Sequence, residues 1–173
     1  MKNFLKKIGL VDYLSTELAV DQTTFVNRLK ENVDHHSNGL FEIFNSSKKE
    51  YRGTVGYNNF EIQRREFYSY QNQLQAKVKG NLYQNGEKLV IESEISGYSP
   101  WLLLIFIFLL FVYASFLGAF LFTGADFGAE SFFILPFLAI HAALMFYVPY
   151  RMLKRAVEKS KYDLEREFFY LAR

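Results

Sequence analysis

"SGYSPWLLLIFIFLLFVYASFLGAF" occupies residues 96–120 and divides the chain into unlike parts. From Trp101 to Thr123 there are 23 residues without a charge, rich in Leu, Phe and Ile. A bilayer core of about 30 Å takes about 20 helical residues, so the run is long enough to span. A second uncharged run covers residues 131–150, and its only ionisable groups are His141, Tyr147 and Tyr150. Two such runs among 173 residues predict a transmembrane helical hairpin rather than a pair of buried core helices. The expected organisation is a cytoplasmic α+β domain over residues 1–99, the hairpin over 100–150 and an amphipathic helix over 151–173. The boundary falls at Ser99–Pro100. Neither run has the position of a signal peptide, since both lie beyond residue 100 and the chain starts "MKNFLKKIG". That basic start, with Phe4, Leu5 and Ile8 among Lys2, Lys6 and Lys7, has the makings of a short piece lying on a membrane surface.

Lysine and arginine set the expected orientation. Residues 1–99 carry 13 of them and residues 151–173 the other 7, while "GADFGAE" between the runs has none and holds Asp126 and Glu130. Positive charge stays on the cytoplasmic side, so both termini are expected there, in the inner membrane, with a short loop outside. Trp101, Tyr147 and Tyr150 fall at that cytoplasmic interface, where amphipathic rings settle.

Before residue 96 the pattern is that of a water-soluble fold. "LSTELAV" at 14–20 reads as a short strand, and Asp21 caps a helix through about Val33 with Phe25, Val26, Leu29 and Val33 on one stripe. "DHHSNG" ends it, Gly39 being a stop signal, and residues 40–50 read as strand or turn. From Tyr51 the period changes to 2. "YRGTV" and "FEIQRR" flank a turn at "GYNN". At 73–82, Leu74, Ala76, Val78, Gly80 and Leu82 take one face and polar residues the other. "NG" at 85–86 is the favoured hairpin pair, followed by "KLVIESEI". A turn at 85–86 sets Lys79 opposite Glu92 and Lys77 opposite Glu94. Residues 51–97 are thus an antiparallel meander whose apolar face needs a cover. The 21–33 helix is one. The other is the tail, where Leu153, Val157, Leu164, Phe168 and Leu171 recur at helical spacing. That stripe either packs on the protein's own sheet or meets a partner subunit or lipid. The tail helix is expected to continue out of the second run, with Pro149 as a point of strain.

His141 is the residue that most invites a functional role, because an ionisable group at the middle of a span is costly. Counting back across the loop brings Tyr113, and less directly Ser115, to the same depth. A neutral imidazole bonded to Tyr113 satisfies both groups and pins the hairpin's register. Contact with a partner's helix, a proton relay and a haem or metal ligand are the alternatives. A relay lacks partners, since neither run supplies a carboxylate or lysine at that depth. Ala114 with Gly118, Ser115 with Ala119, and Ala139 with Ala143 put small residues at helical spacing, which permits close helix packing within the hairpin or between copies.

Other groupings read as ordinary surface or core. "DHHS" at 34–37 lacks a completing Cys or Glu-x-x-His. "RR" at 64–65, like Lys6 and Lys7, suits either a solvated strand or anionic headgroups. Phe67, Tyr68 and Tyr70 in "EFYSYQNQ" are core aromatics or a stacking platform. Without cysteine there is no disulfide framework or thiol chemistry, and a net charge of +2 does not favour nucleic acid. G-x-S-x-G, phosphate-binding glycine loops and H-E-x-x-H are absent. No catalytic, cofactor-binding or metal residue is expected.

"YRGTVGYNNFEIQRR", then "KVKGNLYQNGEKLVIESEISGYSP" and an apolar hairpin, resembles small bacterial membrane proteins that place a compact α+β domain before two spans. Gly53, Phe60, Arg64 and Gly80 carry the likeness. It implies the architecture, and because that group has no assigned activity it transfers no functional residue. The expected role is a non-enzymatic accessory, assembly or scaffold subunit, partnered by lipid and by other subunits or further copies of itself. The alternative is a ligand-sensing or defence-type module that oligomerises through its spans.

Overall fold

The computed structural model describes residues 2–35, 49–64, 75–122 and 131–173, which build an α+β protein around a six-stranded mixed sheet. In chain order the elements are α1 (Lys2–Lys7), β1 (Val11–Leu18), α2 (Gln22–Asn32), β2 (Val33–His35), β3 (Tyr51–Val55), β4 (Asn59–Arg64), β5 (Lys77–Asn85), β6 (Lys88–Ser96), α3 (Pro100–Phe122) and α4 (Ser131–Leu171). The chain divides into two units, residues 1–97 with 153–173, and residues 98–152. The tail, expected as a segment of its own, therefore closes the first unit. The 40–48 stretch, Gly39, Arg65, the aromatics of 66–73, Leu74, and Asp126 and Glu130 lie outside the described residues.

Period-2 alternation makes the sheet. Ile62, Val78, Leu82, Leu89, Ile91 and Ile95 all turn to one face and are at most 2% exposed. Burying each such side chain is worth about 1.5–3 kcal/mol. α2 covers part of that face. The Asp21 carboxylate accepts the Thr24 N–H at 3.1 Å, satisfying a helix-end donor, and Phe25, Val26 and Leu29 enter the core. The tail half of α4 covers the rest: Leu153, Val157, Leu164, Phe168 and Leu171 are buried, at 0–6% exposure. The stripe offered to a partner is therefore occupied by the protein's own sheet. An apolar face of four or more strands left wet costs more than any external docking site returns, so the nearest amphipathic helix takes it.

One row across the sheet explains how the helices sit on it. Leu14, Ser93, Gly80 and Phe60 are consecutive cross-strand neighbours on β1, β6, β5 and β4. Ser93 and Gly80 leave a dip, and the Phe60 ring lies across Gly80, where an added Cβ would stand 2.2 Å from it. Phe168 then meets Phe60 edge-on at 5.9 Å and Phe25 at 5.7 Å. The Ser93 hydroxyl is buried there without a hydrogen-bond partner.

Three expectations about the sheet need correction. It is mixed, with β1 antiparallel to β6 at one edge and the short β2 parallel to β3 at the other, and is not simply a meander over 51–97. The first strand begins at Val11, not residue 14, extended by the Gly97 N–H donating to the Leu10 carbonyl at 2.9 Å. The β5–β6 register is displaced by two: Lys79 pairs with Glu94, Asn81 with Glu92 and Lys77 with Ser96. The loop is Gly86–Glu87, because Gly86 takes φ +61° as the first loop residue and Asn85 closes the ladder with Lys88. A displacement of two leaves every side chain on its own face, so the apolar pattern alone does not oppose it.

In the second unit, Ser99 caps α3. Its hydroxyl accepts the Leu102 N–H and its carbonyl the Leu103 N–H, each at 3.2 Å, and Pro100 follows at the first helical position. Trp101–Phe120 is long and apolar enough to cross a membrane, and none of it is buried. The second run is not a separate helix. It forms the first half of α4, which continues past Pro136 and Pro149 to Leu171.

Candidate functional site

Within the second unit, the Tyr113 hydroxyl and His141 Nδ1 are 2.7 Å apart, joining α3 to α4. Aromatic rings surround this bond. Tyr113 and Phe146 lie 6.0 Å apart between centroids, Phe106 and Phe146 5.8 Å, and Phe137 stacks on His141 at 6.2 Å. The helices touch through rings, and the small residues expected to pack within the hairpin or between copies do not supply that contact. Ala114, Ser115, Ala139 and Ala143 are exposed, and a Cβ added at Gly118 would meet nothing within 4 Å. Ser115 donates to the Phe111 carbonyl of its own helix at 2.9 Å instead of reaching His141. Close approach through small residues and contact through large rings are alternative packings, and here the rings hold the interface. Trp101 and Tyr147 are exposed and Tyr150 is half-buried; Arg151 stands 5.9 Å over the Tyr147 ring.

The first unit carries a charged seam that sequence reasoning missed. Arg64, expected as a solvated strand residue, is ion-paired to Asp163 of α4 and approaches Glu50 at 4.0 Å. Lys161 bonds Asp12 at 2.7 Å, and the Arg28 guanidinium donates to the Leu171 carbonyl at 2.7 Å. Together these fasten the tail to the sheet and to α2. No sequence signal pairs residues about a hundred positions apart. Only the alternation of charge around the apolar tail stripe hinted at it.

Electrostatics differ from group to group. Burial pushes the Tyr51 phenol up to about 12, helped by Glu167 and opposed by Arg64. Burial also raises the Glu167 carboxyl, with Glu50 next, against the pull of Arg166 and Arg64. At Asp12 burial is the largest single influence and raises it, but the Lys161 bond, the Tyr13 N–H and the lysine charges together bring the carboxyl below its ordinary value. Glu61 is lowered, first by its bond to Lys79 and against burial, with Lys77 assisting. A raised acid binds its proton more tightly folded than unfolded, so ionised Glu167 costs stability at neutral pH, and falling pH relieves that cost. Asp12 and Glu61 act oppositely, stabilising above the ordinary carboxylate range and losing that contribution as pH falls through their lowered values. Glu167→Gln is therefore expected to raise the melting temperature at pH 7–8, with the gain shrinking below pH ~4. Thermal unfolding followed by circular dichroism at several pH values checks this, and an equal gain at all pH values would refute it.

On the outer face, a recess of about 430 Å³ is lined by Tyr13, Ser15, Lys79, Asn81, Glu92 and Glu94, among others. It is open, and Leu14 adds apolar surface to its charged and polar rim. Among the described residues no cluster of three potential metal ligands occurs, and β2 holds Asp34 and His35 of the former "DHHS" grouping, His36 and Ser37 lying outside the described residues. Compared with known proteins, the chain matches no family model, no curated protein and no solved structure.

Proposed function

We propose, from the chain's own chemistry, that this is a non-enzymatic two-span protein of the cytoplasmic membrane. Residues 101–123 and 131–150 form the spans and the α+β unit is held at the cytoplasmic surface, with both termini on that side. In this reading it serves as an accessory, assembly or scaffold subunit of a larger membrane complex. One observation carries it: the large apolar side chains of both runs face outward. Phe111 is 68% exposed, Phe116 62%, Phe133 76%, Phe137 70% and Ile140 62%. Soluble monomers rarely expose contiguous apolar patches beyond about 300–600 Å², whereas lipid tails solvate such surface without penalty. The uncharged first half of α4 supports a second span, and the lysine and arginine distribution supports the orientation. The ligand-sensing alternative draws less support, because the recess on the sheet is open and sets Lys79, Glu92 and Glu94 beside Tyr13 and Leu14, unlike an enclosed apolar pocket.

The absence of cysteine makes the topology directly measurable. Single cysteines introduced at Asn3, Asp126 and Tyr170 are expected to react differently with a membrane-impermeant maleimide. Asp126→Cys should label on intact spheroplasts, and the other two only after lysis. Labelling of the two ends from opposite sides would refute the two-span topology, and extraction of the protein without detergent would refute membrane insertion.

A further inference from the structure

Several cations of the first unit cluster at the point where the chain leaves it and returns. The departure is Gly97 and the return is Leu153, and they touch: a Cβ on Gly97 would lie 3.0 Å from the Leu153 carbonyl and 2.7 Å from Val157. The Gly97 N–H also holds Leu10, immediately after α1. Gly9, in turn, carries the Lys154 side-chain stem across it, 3.1 Å from where a Cβ would stand. These contacts bring the end of α1, with Lys6 and Lys7, beside the start of the tail segment, with Lys154 and Arg155.

Cations outnumber acids at this collar, with Lys6, Lys7, Lys154 and Arg155 against Asp12 and Glu158. Residues 1–11 contain no acid. Lys6 sits 5.2 Å over the Tyr13 ring, and Lys7 and Arg155 have no acidic partner among the described residues. Lys154 has Glu158 at 4.0 Å, and Asp12, bonded by Lys161, is also lowered by the charge of Lys6. Beside the lysines, Phe4 is 63% exposed while Leu5 anchors α1 to the unit at 6%. A short helix that is tied down on one side and offers lysines and an aromatic ring on the other has the chemistry of a membrane-surface contact.

We infer that Lys6, Lys7, Lys154 and Arg155 form a collar that binds the headgroups of anionic phospholipids. The inference rests on the two-span reading. Three residues lie between Gly97 and Trp101, so the four steps of chain span at most about 14 Å between the collar and the first bilayer residue. The headgroup layer extends about 5–7 Å beyond the hydrocarbon core, which leaves at most about 7–9 Å from the collar to the charged surface, within the screening length of about 8–10 Å over which an anionic leaflet attracts basic residues. The collar thereby selects which lipids surround the protein.

Trp101 is the chain's single tryptophan and stands at the start of α3, so it reports its lipid neighbours. The full-length protein is placed in nanodiscs containing either phosphatidylglycerol or phosphatidylcholine brominated on the acyl chains, at equal mole fraction. Brominated phosphatidylglycerol is expected to quench Trp101 as though enriched about twofold or more at low salt, with the preference shrinking at high salt. The preference should vanish in Lys6→Gln/Lys7→Gln/Arg155→Gln and persist in Lys77→Gln/Lys88→Gln, circular dichroism showing both folded. Equal quenching by the two lipids overturns the collar. So does a preference unchanged in the triple variant, or one lost equally in the control variant. Inorganic phosphate should weaken the preference no more than chloride of the same ionic strength, and a greater loss would assign the charges to a soluble phosphate and overturn lipid selection. No quenching by either lipid would instead defeat the two-span reading itself, which separates the two failures.

Discussion

Phe168→Ala is expected to destabilise the first unit by about 3–5 kcal/mol, the cost of emptying a large buried aromatic site. Phe168 has no exposed surface and stands between Phe25 of α2 and Phe60 of β4. Its removal unseats both covers of the sheet at once. Phe60, which Phe168 meets edge-on, itself lies over Gly80, which has no side chain to fill the vacated space. Phe168→Leu keeps most of the volume and should lose about half as much, since the two edge-on ring contacts go while the apolar burial stays. Chemical unfolding of the full chain in detergent, followed by circular dichroism, measures both. A loss below about 1 kcal/mol for alanine would mean that the tail does not hold the sheet closed.

Gly53→Ala is expected to cost about 3 kcal/mol by a different mechanism, strain at a backbone position that has no slack. Gly53 has φ +152°, and a Cβ there would lie 2.0 Å from the Glu61 carbonyl oxygen and 2.9 Å from the Ile62 Cα. Both obstacles are backbone of β4, so no rotamer change relieves them and the β3–β4 ladder must open. Gly86 is the control. Its φ is +61° and an added Cβ meets nothing within 4 Å, so Gly86→Asn, which tolerates that conformation, should cost less than about 1 kcal/mol. Hydrogen exchange of the β3 and β4 amides should accelerate in Gly53→Ala alone. Unchanged protection there would refute the overlap.

Much of the architecture was legible before any coordinates. The apolar runs, the Asp21 cap, and the faces of β5 and β6 each rest on a local regularity: uninterrupted apolarity, a cap three residues ahead of the N–H that donates to it, alternation with period 2. The His141–Tyr113 juxtaposition was legible for a related reason, because two antiparallel helices joined by a short loop bring residues equidistant from it to one level. The small-residue stripes were not, because spacing on one helix does not say which face the neighbour takes. Ala139 and Ala143 have the same period as a helix contact and face outward. Arg64 likewise showed nothing of Asp163, 99 positions later.

The sequence by itself determined which residues must leave water, because apolarity and its period are properties of consecutive side chains. It also determined that residues 101–123 and 131–150 differ in kind from what precedes them. Tertiary structure alone decided the partners: β1 beside β6, β2 parallel to β3, a β5–β6 register two residues from expectation, and the tail stripe on its own sheet rather than on another subunit. The physical reason is that a periodic pattern assigns a side chain to a face but carries no address. Several pairings bury the same apolar face, and only the simultaneous fit of Gly86 in its turn, Phe60 over Gly80 and Phe168 between Phe25 and Phe60 distinguishes one of them.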